Sequence, residues 1–299
     1  MALTKTYEFQ RIDVFTQTPF CGKPITVFTN ATGLSDLQMQ QIARELNTHD
    51  TVFVFHADSS EHDYRVRIFS PRREVPSSGR PTLGTAFALA TETRGRSRVV
   101  FEAPEGPVST SMLTPITTVK QQVPEAGNVY REPGVISGML SLDPSEIRQD
   151  VPTQAYFSGG TPFLLVPLKT EGSLRNITFR REIWERTLRR FEASVLLLFT
   201  LTESGNPTDA HIRVLFPQRD PFEDPATESA AGPMVRYLTD HGLRLKSSGS
   251  QWTFQQGQDL GRPSQIYAFP EWHDGVINQL RVGGQCVKVG QGSINVPQI

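Results

Sequence analysis

The sequence contains little cysteine: Cys21 and Cys286 are its two cysteines in 299 residues. Two cysteines cannot build the disulfide network of many small secreted domains, and their spacing fits no common metal-ligand pattern. Cys21 lies in the turn TPFCGKP with no base nearby in sequence, so we predict a small, partly buried filler rather than a nucleophile. The chain must therefore fold by burying apolar side chains, and its length allows two domains.

The sequence also lacks an excess of either charge, with 30 lysines and arginines against 31 aspartates and glutamates. This balance provides no overall field to attract nucleic acid or an anionic membrane, so we expect small-molecule partners. No apolar run approaches the roughly 20 residues of a membrane span, and the opening MALTKTYEFQRIDVF lacks the apolar core of a signal peptide. These absences predict a soluble cytoplasmic protein.

Alternating apolar and polar residues predict several strands, which are YEFQRIDVF, PITVF, TVFVF, YRVRIF and VVFEA. The segment GLSDLQMQQIARELN has helical spacing, and Ser35 and Gln38 form a capping box at its start. A second, amphipathic helix is predicted at 82–92, after a glycine- and proline-bearing turn. The fold class is therefore α+β.

The second half of the chain repeats this plan. Arg67 in RVRIFSP matches Arg213 in HIRVLFP, and Gly84 matches Gly232 in the helices that follow. Two strand-turn-helix units half a chain apart predict an ancient duplication with two similar domains facing a cleft. The Pro/Gly-rich stretch VPEAGNVYREPGVISGML is the predicted linker region.

Each half places a polar turn before a helix, and a helix start favours an anionic ligand through its free N–H groups and dipole. The first turn, SSGRPT, supplies Gly79, Arg80 and Pro81. The second, EDPATESAAG, supplies Glu228 and three candidate caps, which are Asp224, Thr227 and Ser229.

Arg80 and Glu228 occupy equivalent places in the two turns and carry opposite charges. Two interpretations stay open: they form an ion pair, or Arg80 binds a substrate carboxylate while Glu228 moves a proton. A further candidate is Asp50, between a helix and a strand. Two interpretations stay open here too: burial raises its pKa enough for proton transfer, or Asp50 is a turn or capping carboxylate. Its neighbour His49 is predicted to be exposed.

Seven segments, taken in order, resemble motifs of the PhzF-like family of phenazine biosynthesis, which is related in fold to diaminopimelate epimerase. The resemblance runs from about residue 8 to residue 292 and rests on IDVFTQTPFCGKPITVF, GLSDLQMQQIARELN, RVRIFSPRREVPSSGRPTLGTA, SGGTPFLLVPL, EDPATESAAGPMVRYL, GRPSQIY and RVGGQCVKVGQG.

The resemblance implies two pseudo-symmetric domains, each a curved mixed β-sheet or barrel around a central α-helix. We expect the first at 1–130, with a C-terminal strand at 282–299 that could complete it, and the second at 131–281. It also implies a homodimer and cofactor-free isomerisation or epimerisation of a small metabolite between the domains. No metal, nucleotide or pyridoxal phosphate is expected.

The chain departs from the family pattern at three places: Asp50 stands where a glutamate is usual, Arg80 where a histidine is usual, and Glu228 where a glycine is usual. An Arg80–Glu228 pair would reshape the cleft for a less anionic substrate, which could also be larger. We predict catalytic roles for Asp50, Glu228 and Asp224, with Asp50 preferred for proton transfer and Glu228 as the alternative. The remaining site residues would bind substrate: Gly79, Arg80, Thr227 and Ser229.

Three alternatives to acid/base isomerisation stay open. The protein could promote a cyclisation by holding a folded conformer. It could instead be a ligand-binding homologue that has lost proton transfer. A racemase using two thiols is the weakest, because neither helix-start turn contains cysteine.

Overall fold

A computed structural model of the chain describes residues 4–76, 79–90, 97–104, 106–113 and 115–297. Its strands are β1 (Thr4–Val14), β2 (Lys23–Phe28), β3 (Asp50–His56), β4 (Tyr64–Phe69), β5 (Glu74–Val75), β6 (Arg98–Glu102), β7 (Val108–Leu113), β8 (Ile116–Gln121), β9 (Glu125–Val129), β10 (Gln154–Ser158), β11 (Thr161–Pro167), β12 (Val195–Leu201), β13 (Ala210–Leu215), β14 (Glu223–Asp224), β15 (Trp252–Gln256), β16 (Ser264–His273), β17 (Val276–Gly284) and β18 (Cys286–Pro297). Its helices are α1 (Asp36–Leu46), α2 (Gly79–Leu89), α3 (Pro133–Leu140), α4 (Glu171–Arg175), α5 (Arg181–Arg186) and α6 (Ala231–Asp240).

The described residues divide into two compact units. The first contains those up to Lys120 and those from Gly283 onward, and the second runs from Gln121 to Val282. In the first, the sheet order is β18-β1-β2-β3-β4-β6-β7-β8, with β2–β3 and β4–β6 parallel. In the second, the order β9-β10-β11-β12-β13-β15-β16 has its parallel pairs, β11–β12 and β13–β15, at the same places. The predicted α+β fold with two similar halves is confirmed.

Each unit has its main helix at the same place in the repeat. Helix α2 lies between β5 and β6 along the chain, and α6 lies between β14 and β15. Nine of the eleven residues of α2 are buried, so the prediction of an amphipathic helix is wrong for α2. The helix begins at Gly79 and ends at Leu89, earlier than the predicted 82–92, and residues 91–92 lie outside the described part of the chain. An enclosed helix has no solvent face, which removes the reason for an amphipathic pattern.

The matched glycines Gly84 and Gly232 bring these helices close to neighbouring side chains. A Cβ on Gly84 would lie 2.3 Å from Ile25 Cδ1, and one on Gly232 would lie 2.8 Å from Leu280 Cδ2. Both distances are below ordinary carbon contact. Each glycine therefore permits a close approach inside its own unit, as expected of equivalent positions.

The matched arginines form the same fork-shaped ion pair in both units. Arg67 donates from Nε and Nη2 to the two carboxylate oxygens of Glu74, at 2.8 and 2.7 Å. Arg213 donates in the same way to Glu223, at 2.9 and 2.7 Å. Such bidentate pairs fix orientation as well as distance. Here they fasten β4 to β5 and β13 to β14, the strands that lead into the helix-start turns.

A second repeated device escaped the sequence analysis. Asp63 exchanges hydrogen bonds with Val100: its N–H donates to the carbonyl, and its Oδ2 accepts from the Val100 N–H. Asp209 does the same with Thr253, at 2.8 Å for both bonds. In both halves, the aspartate that precedes a strand forms hydrogen bonds with the neighbouring parallel strand. This repetition supports the duplication independently of the helices.

The two faces of the first sheet carry different helices. Phe28, Phe53 and Phe69 pack with Met39 and Ile42 of α1 in one hydrophobic cluster. The predicted capping box of α1 is present. Alternate residues of a strand point to opposite faces, so residues of β3 next to Phe53 face α2.

Among the described residues, no helix has the length and apolar character needed to cross a membrane.

Candidate functional site

The start of α2 lies beside the starting ends of two parallel strands in the first unit. Ile25 of β2 is level with Asp50, the first residue of β3. Lys23 and Ile25 share a face of β2, and Ile25 contacts α2 at Gly84. The repeat topology thus brings Lys23 and Asp50 to the end of the sheet where α2 begins.

Arg80 and Asp50 form a buried ion pair at this end. Arg80 Nε and Nη2 both donate to Asp50 Oδ2, at 2.7 and 2.5 Å. The side chains are 9% and 4% exposed. Charge-assisted bonds are strongest where water is excluded. Arg80 is therefore a structural partner of Asp50, a pairing that the sequence analysis did not predict.

The surroundings of Asp50 shift its pKa in opposite directions. Burial alone raises it, but the Arg80 guanidinium, the hydrogen bond from His49 and the charge of Lys23 lower it, and the net pKa lies well below the usual range. The expectation that burial would raise this pKa is wrong, because it omitted two cations placed by the fold. Asp50 is consequently ionised at neutral pH and a weak base.

His49 lies at the outer side of this pair, with a side chain that is 50% exposed, as predicted. Its Nδ1 is 3.2 Å from Asp50 Oδ1 and 3.3 Å from Arg80 Nη2. An ionised carboxylate can only accept hydrogen bonds. The contact with Asp50 therefore needs a proton on Nδ1, whereas the contact with Arg80, which can only donate, needs the Nδ1 lone pair, so one tautomer satisfies only one of the two contacts.

The turn before α6 is held by a buried residue that sequence analysis missed, Gln256 of β15. Its Oε1 accepts from the Thr227 N–H at 2.9 Å, and its Nε2 donates to the Asp224 carbonyl at 2.6 Å and to the Thr227 hydroxyl at 3.2 Å. Trp252, Phe254 and Gln256 alternate along β15 and are all fully buried. The signal that could have revealed Gln256 is a polar residue at the third of three alternating positions whose first two residues are large and apolar.

The candidate caps of the second turn act differently from the prediction. Thr227 occupies the position before the 3₁₀ turn Glu228–Ala230, but its side chain makes no capping bond. Asp224 accepts from the Ala226 N–H at 3.2 Å, within the turn. Ser229 is partly buried. The Thr227 N–H itself donates to Gln256, so Thr227 is held by β15 rather than acting as a side-chain cap.

Glu228 is buried, and its carbonyl accepts from Gln121 Nε2 at 3.2 Å. Gly79, in the other unit, is the first residue of α2, and its carbonyl accepts from the Thr82 hydroxyl at 2.7 Å. The predicted pairing of Arg80 with Glu228 joins residues of different units and stays a prediction. So do the substrate-binding roles of Gly79, Thr227 and Ser229.

Neither cysteine forms a disulfide bond, and both are partly buried, as predicted for Cys21. Burial raises the pKa of the Cys286 thiol to about 12, despite a backbone hydrogen bond with Phe15 that lowers it. Thiolates, not thiols, are the reactive form. The environment of Cys286 therefore counts against the two-thiol racemase.

Within the described ranges, no three histidine, cysteine, aspartate or glutamate side chains are grouped so that they could hold a metal ion. The predicted absence of a cofactor stays a prediction. Three surface pockets of about 230 to 340 Å³ lie along β1, β18 and α1. The residues that line them include none of the predicted site residues.

Comparison with known proteins gives consistent matches over nearly the whole chain. The family described as "Phenazine biosynthesis-like protein" matches residues 12–292. An uncharacterized isomerase of Mesorhizobium japonicum is 32% identical over 97% of this chain and 99% of its own. A trans-2,3-dihydro-3-hydroxyanthranilate isomerase of Pseudomonas chlororaphis is 30% identical over 95% of this chain and 97% of its own.

Solved structures agree on the fold. The Bacillus anthracis phenazine biosynthesis protein of the PhzF family has a TM-score of 0.86 at 20% identity, covering 98% of this chain and 100% of its own. A hydroxyproline epimerase of Agrobacterium vitis has a TM-score of 0.60 at 12% identity, covering 99% and 94%.

Proposed function

The chain belongs to the phenazine biosynthesis-like family, and we propose that it is an isomerase that moves a proton on a small metabolite without a cofactor. The observation that carries the proposal is the buried Asp50–Arg80 ion pair, with the half-exposed His49 in contact with both residues. Buried titratable groups with strongly shifted pKa values and specific charge partners mark functional sites. The named isomerases among the relatives support the reaction class.

The proposed reaction breaks one C–H bond and forms another, with no change in composition. A base of the site takes the proton, the electron pair of the C–H bond shifts the double bond, and the conjugate acid returns a proton to a second carbon. Arg80 stays charged throughout and keeps Asp50 ionised. The N–H groups at the start of α2 face the same end of the unit and favour an anionic substrate group.

In this proposal, Gly79, Arg80, Thr227 and Ser229 bind substrate, and Asp224 and Glu228 are the further catalytic candidates. The substrate class is a small cyclic compound with a carboxylate, by similarity to relatives named for trans-2,3-dihydro-3-hydroxyanthranilate. The sequence resemblance implies that Asp50, Arg80 and Glu228 differ from the residues usual in the family. We therefore propose a different member of that class, less anionic or larger. Homodimer formation and a cytoplasmic location stay parts of the proposal.

The test is incubation of the purified protein in deuterated water with trans-2,3-dihydro-3-hydroxyanthranilate and related cyclic carboxylates, followed by mass spectrometry. We expect an isomer that carries solvent deuterium. Asp50→Asn should slow its formation at least about 100-fold, because the acid/base chemistry of the site depends on this carboxylate and acid/base catalysis contributes about that much. Arg148→Gln, which breaks the Arg148–Asp150 pair far along the chain, is the matched control and should not. Conversion of none of these compounds would contradict the proposal.

A second candidate is favoured by the low pKa of Asp50, because a carboxylate locked in an ion pair can serve binding rather than proton transfer. The protein would then hold a folded conformer for cyclisation, or bind a ligand without changing it. A cyclised product without deuterium identifies the first case. A ligand that binds in calorimetry and is recovered unchanged identifies the second.

A further inference from the structure

We infer that His49, rather than Asp50, is the group that exchanges the proton, and that Asp50 is its positioning residue. The inference rests on the proposed function and names the acid/base group of that same site. It follows from which atoms around the ion pair are already engaged and which are accessible.

Both oxygens of the Asp50 carboxylate are already engaged. Oδ2 accepts two hydrogen bonds from Arg80, and Oδ1 faces His49 Nδ1. The Asp50 side chain is only 4% exposed. A proton-transfer group must come within about 3 Å of the reacting proton. Asp50 could do so only after losing a partner, which the buried ion pair opposes.

His49 has the complementary properties. Its side chain is 50% exposed. Its Nδ1 is directed at Asp50, so Nε2 lies on the opposite edge of the ring, and in the described part of the chain Nε2 makes no hydrogen bond. An imidazole with one nitrogen oriented by a buried carboxylate and the other available is an arrangement that suits general acid/base chemistry.

The charged groups around the ring define the roles of its neighbours. Asp50 contacts Nδ1 and stabilises an imidazolium, while Arg80 contacts the same nitrogen and opposes one. Lys23 acts on Asp50 from β2. Arg80 and Lys23 thus keep the carboxylate ionised. We assign the Nδ1 proton to the shorter contact, with Asp50, so that Arg80 Nη2 lies near this N–H without donating to it.

The proposed proton transfer returns His49 to its starting protonation state. Nε2 of the neutral ring takes the proton from the substrate carbon, and the ring becomes an imidazolium that donates from Nδ1 to Asp50. Nε2 then returns a proton to the second carbon, and the ring is neutral again. Exchange of the Nε2 proton with water explains the deuterium expected in the product.

The first experiment needs no substrate. Long-range ¹H–¹⁵N NMR on protein with ¹⁵N-labelled histidine reports which ring nitrogen carries the proton, and His49→Gln assigns the signal. We expect the neutral ring of His49 to carry its proton on Nδ1. A neutral ring protonated on Nε2, the form that free imidazole side chains prefer, would overturn the inference.

The second experiment measures turnover of trans-2,3-dihydro-3-hydroxyanthranilate. His49→Gln should lose at least about 100-fold, and His49→Ala should recover part of the loss when imidazole is added. His56→Gln, at the other end of β3, is the matched control and should keep wild-type turnover. Rescue by imidazole would not be seen if His49 were only structural.

The outcomes separate the two claims. An active wild-type enzyme whose His49→Gln variant stays within about tenfold of it, with no imidazole rescue of His49→Ala, would overturn the role of His49 alone. A wild-type protein that converts none of the tested compounds would overturn the proposed function and the transfer role together, whatever the tautomer of His49.

Discussion

The two units share a scaffold but differ at the end where their main helices begin. Asp50 is level with Ile25 in β2, and Val195 is level with Phe163 in β11, so Val195 occupies the place of Asp50. By the same registers, Thr161 replaces Lys23 and Ser194 replaces His49 in the second unit. At the helix start, the sequence places Glu228 opposite Arg80. The sheet positions of Lys23, His49 and Asp50 are thus ionisable in the first unit, whereas the matched positions of the second unit are not.

This difference separates what the fold needs from what the chemistry needs. The forked pairs at Arg67 and Arg213 and the ladder aspartates at Asp63 and Asp209 occur in both units, so they belong to the scaffold. The Asp50–Arg80 pair has no equivalent in the second unit, where the sheet position holds an apolar residue. We propose that function, rather than stability, explains a buried charge pair at a place where the second unit has an apolar sheet residue.

The largest expected effect comes from giving the first unit the apolar character of the second. Arg80→Leu leaves the Asp50 carboxylate buried without its partner, so the free energy of unfolding should fall by about 3–5 kcal/mol. The double variant Asp50→Val/Arg80→Leu removes both charges and should recover most of that loss. Urea denaturation measures both. A double variant less stable than Arg80→Leu would show that the pair itself holds the unit together.

The pH dependence of stability sharpens the same comparison. The folded-state pKa of Asp50 lies below its unfolded value, so its contribution is complete above the unfolded pKa of about 4 and is lost as the pH falls toward the folded pKa. The stability advantage of wild type over Asp50→Asn should therefore shrink when the pH is lowered from 5 to 3. Denaturation curves at several pH values test it, and an advantage that grows toward acid pH would refute the ionised Asp50.

The smallest expected effect compares the two helix glycines. Gly84→Ala would place its Cβ against both Ile25 and Val14, so overpacking should lower the unfolding free energy by about 1–3 kcal/mol. Gly232→Ala meets mainly the end of the Leu280 side chain, which can move, and alanine favours a helix by about 1 kcal/mol. It should be nearly neutral. Equal losses in thermal unfolding would contradict the difference in packing.

The repeat could be predicted because it depends on local patterns. These are the apolar periodicity and the matched positions Arg67–Arg213 and Gly84–Gly232. The exposure of His49 was also predicted correctly. The Arg80–Asp50 pair was not, because it depends on β3 lying beside the start of α2, which no local pattern encodes. The direction of the Asp50 pKa shift was missed for the same reason. A strand pattern suggests that Asp50 is buried, but only the topology shows which charged residues lie beside it.

Gln256 shows a different limit. Its three hydrogen bonds define the shape of the Asp224–Thr227 turn, yet it lies about 30 residues further along the chain. The sequence motif identifies the turn itself. The residue that supports the turn is recognised only when the structure shows that β15 lies next to it. Helix α2 was misjudged for a related reason, because enclosure by a sheet removes the polar face that a surface helix needs.

The most direct test of the account is solvent deuterium uptake into trans-2,3-dihydro-3-hydroxyanthranilate or a related cyclic carboxylate. It compares wild type with the Asp50→Val/Arg80→Leu double variant, and Val195→Ala at the equivalent place in the second unit is the control. The account predicts uptake by wild type and Val195→Ala, and at least a 100-fold loss in the folded double variant. Undiminished uptake by the double variant would contradict the claim that the chemistry belongs to the charged end of the first unit.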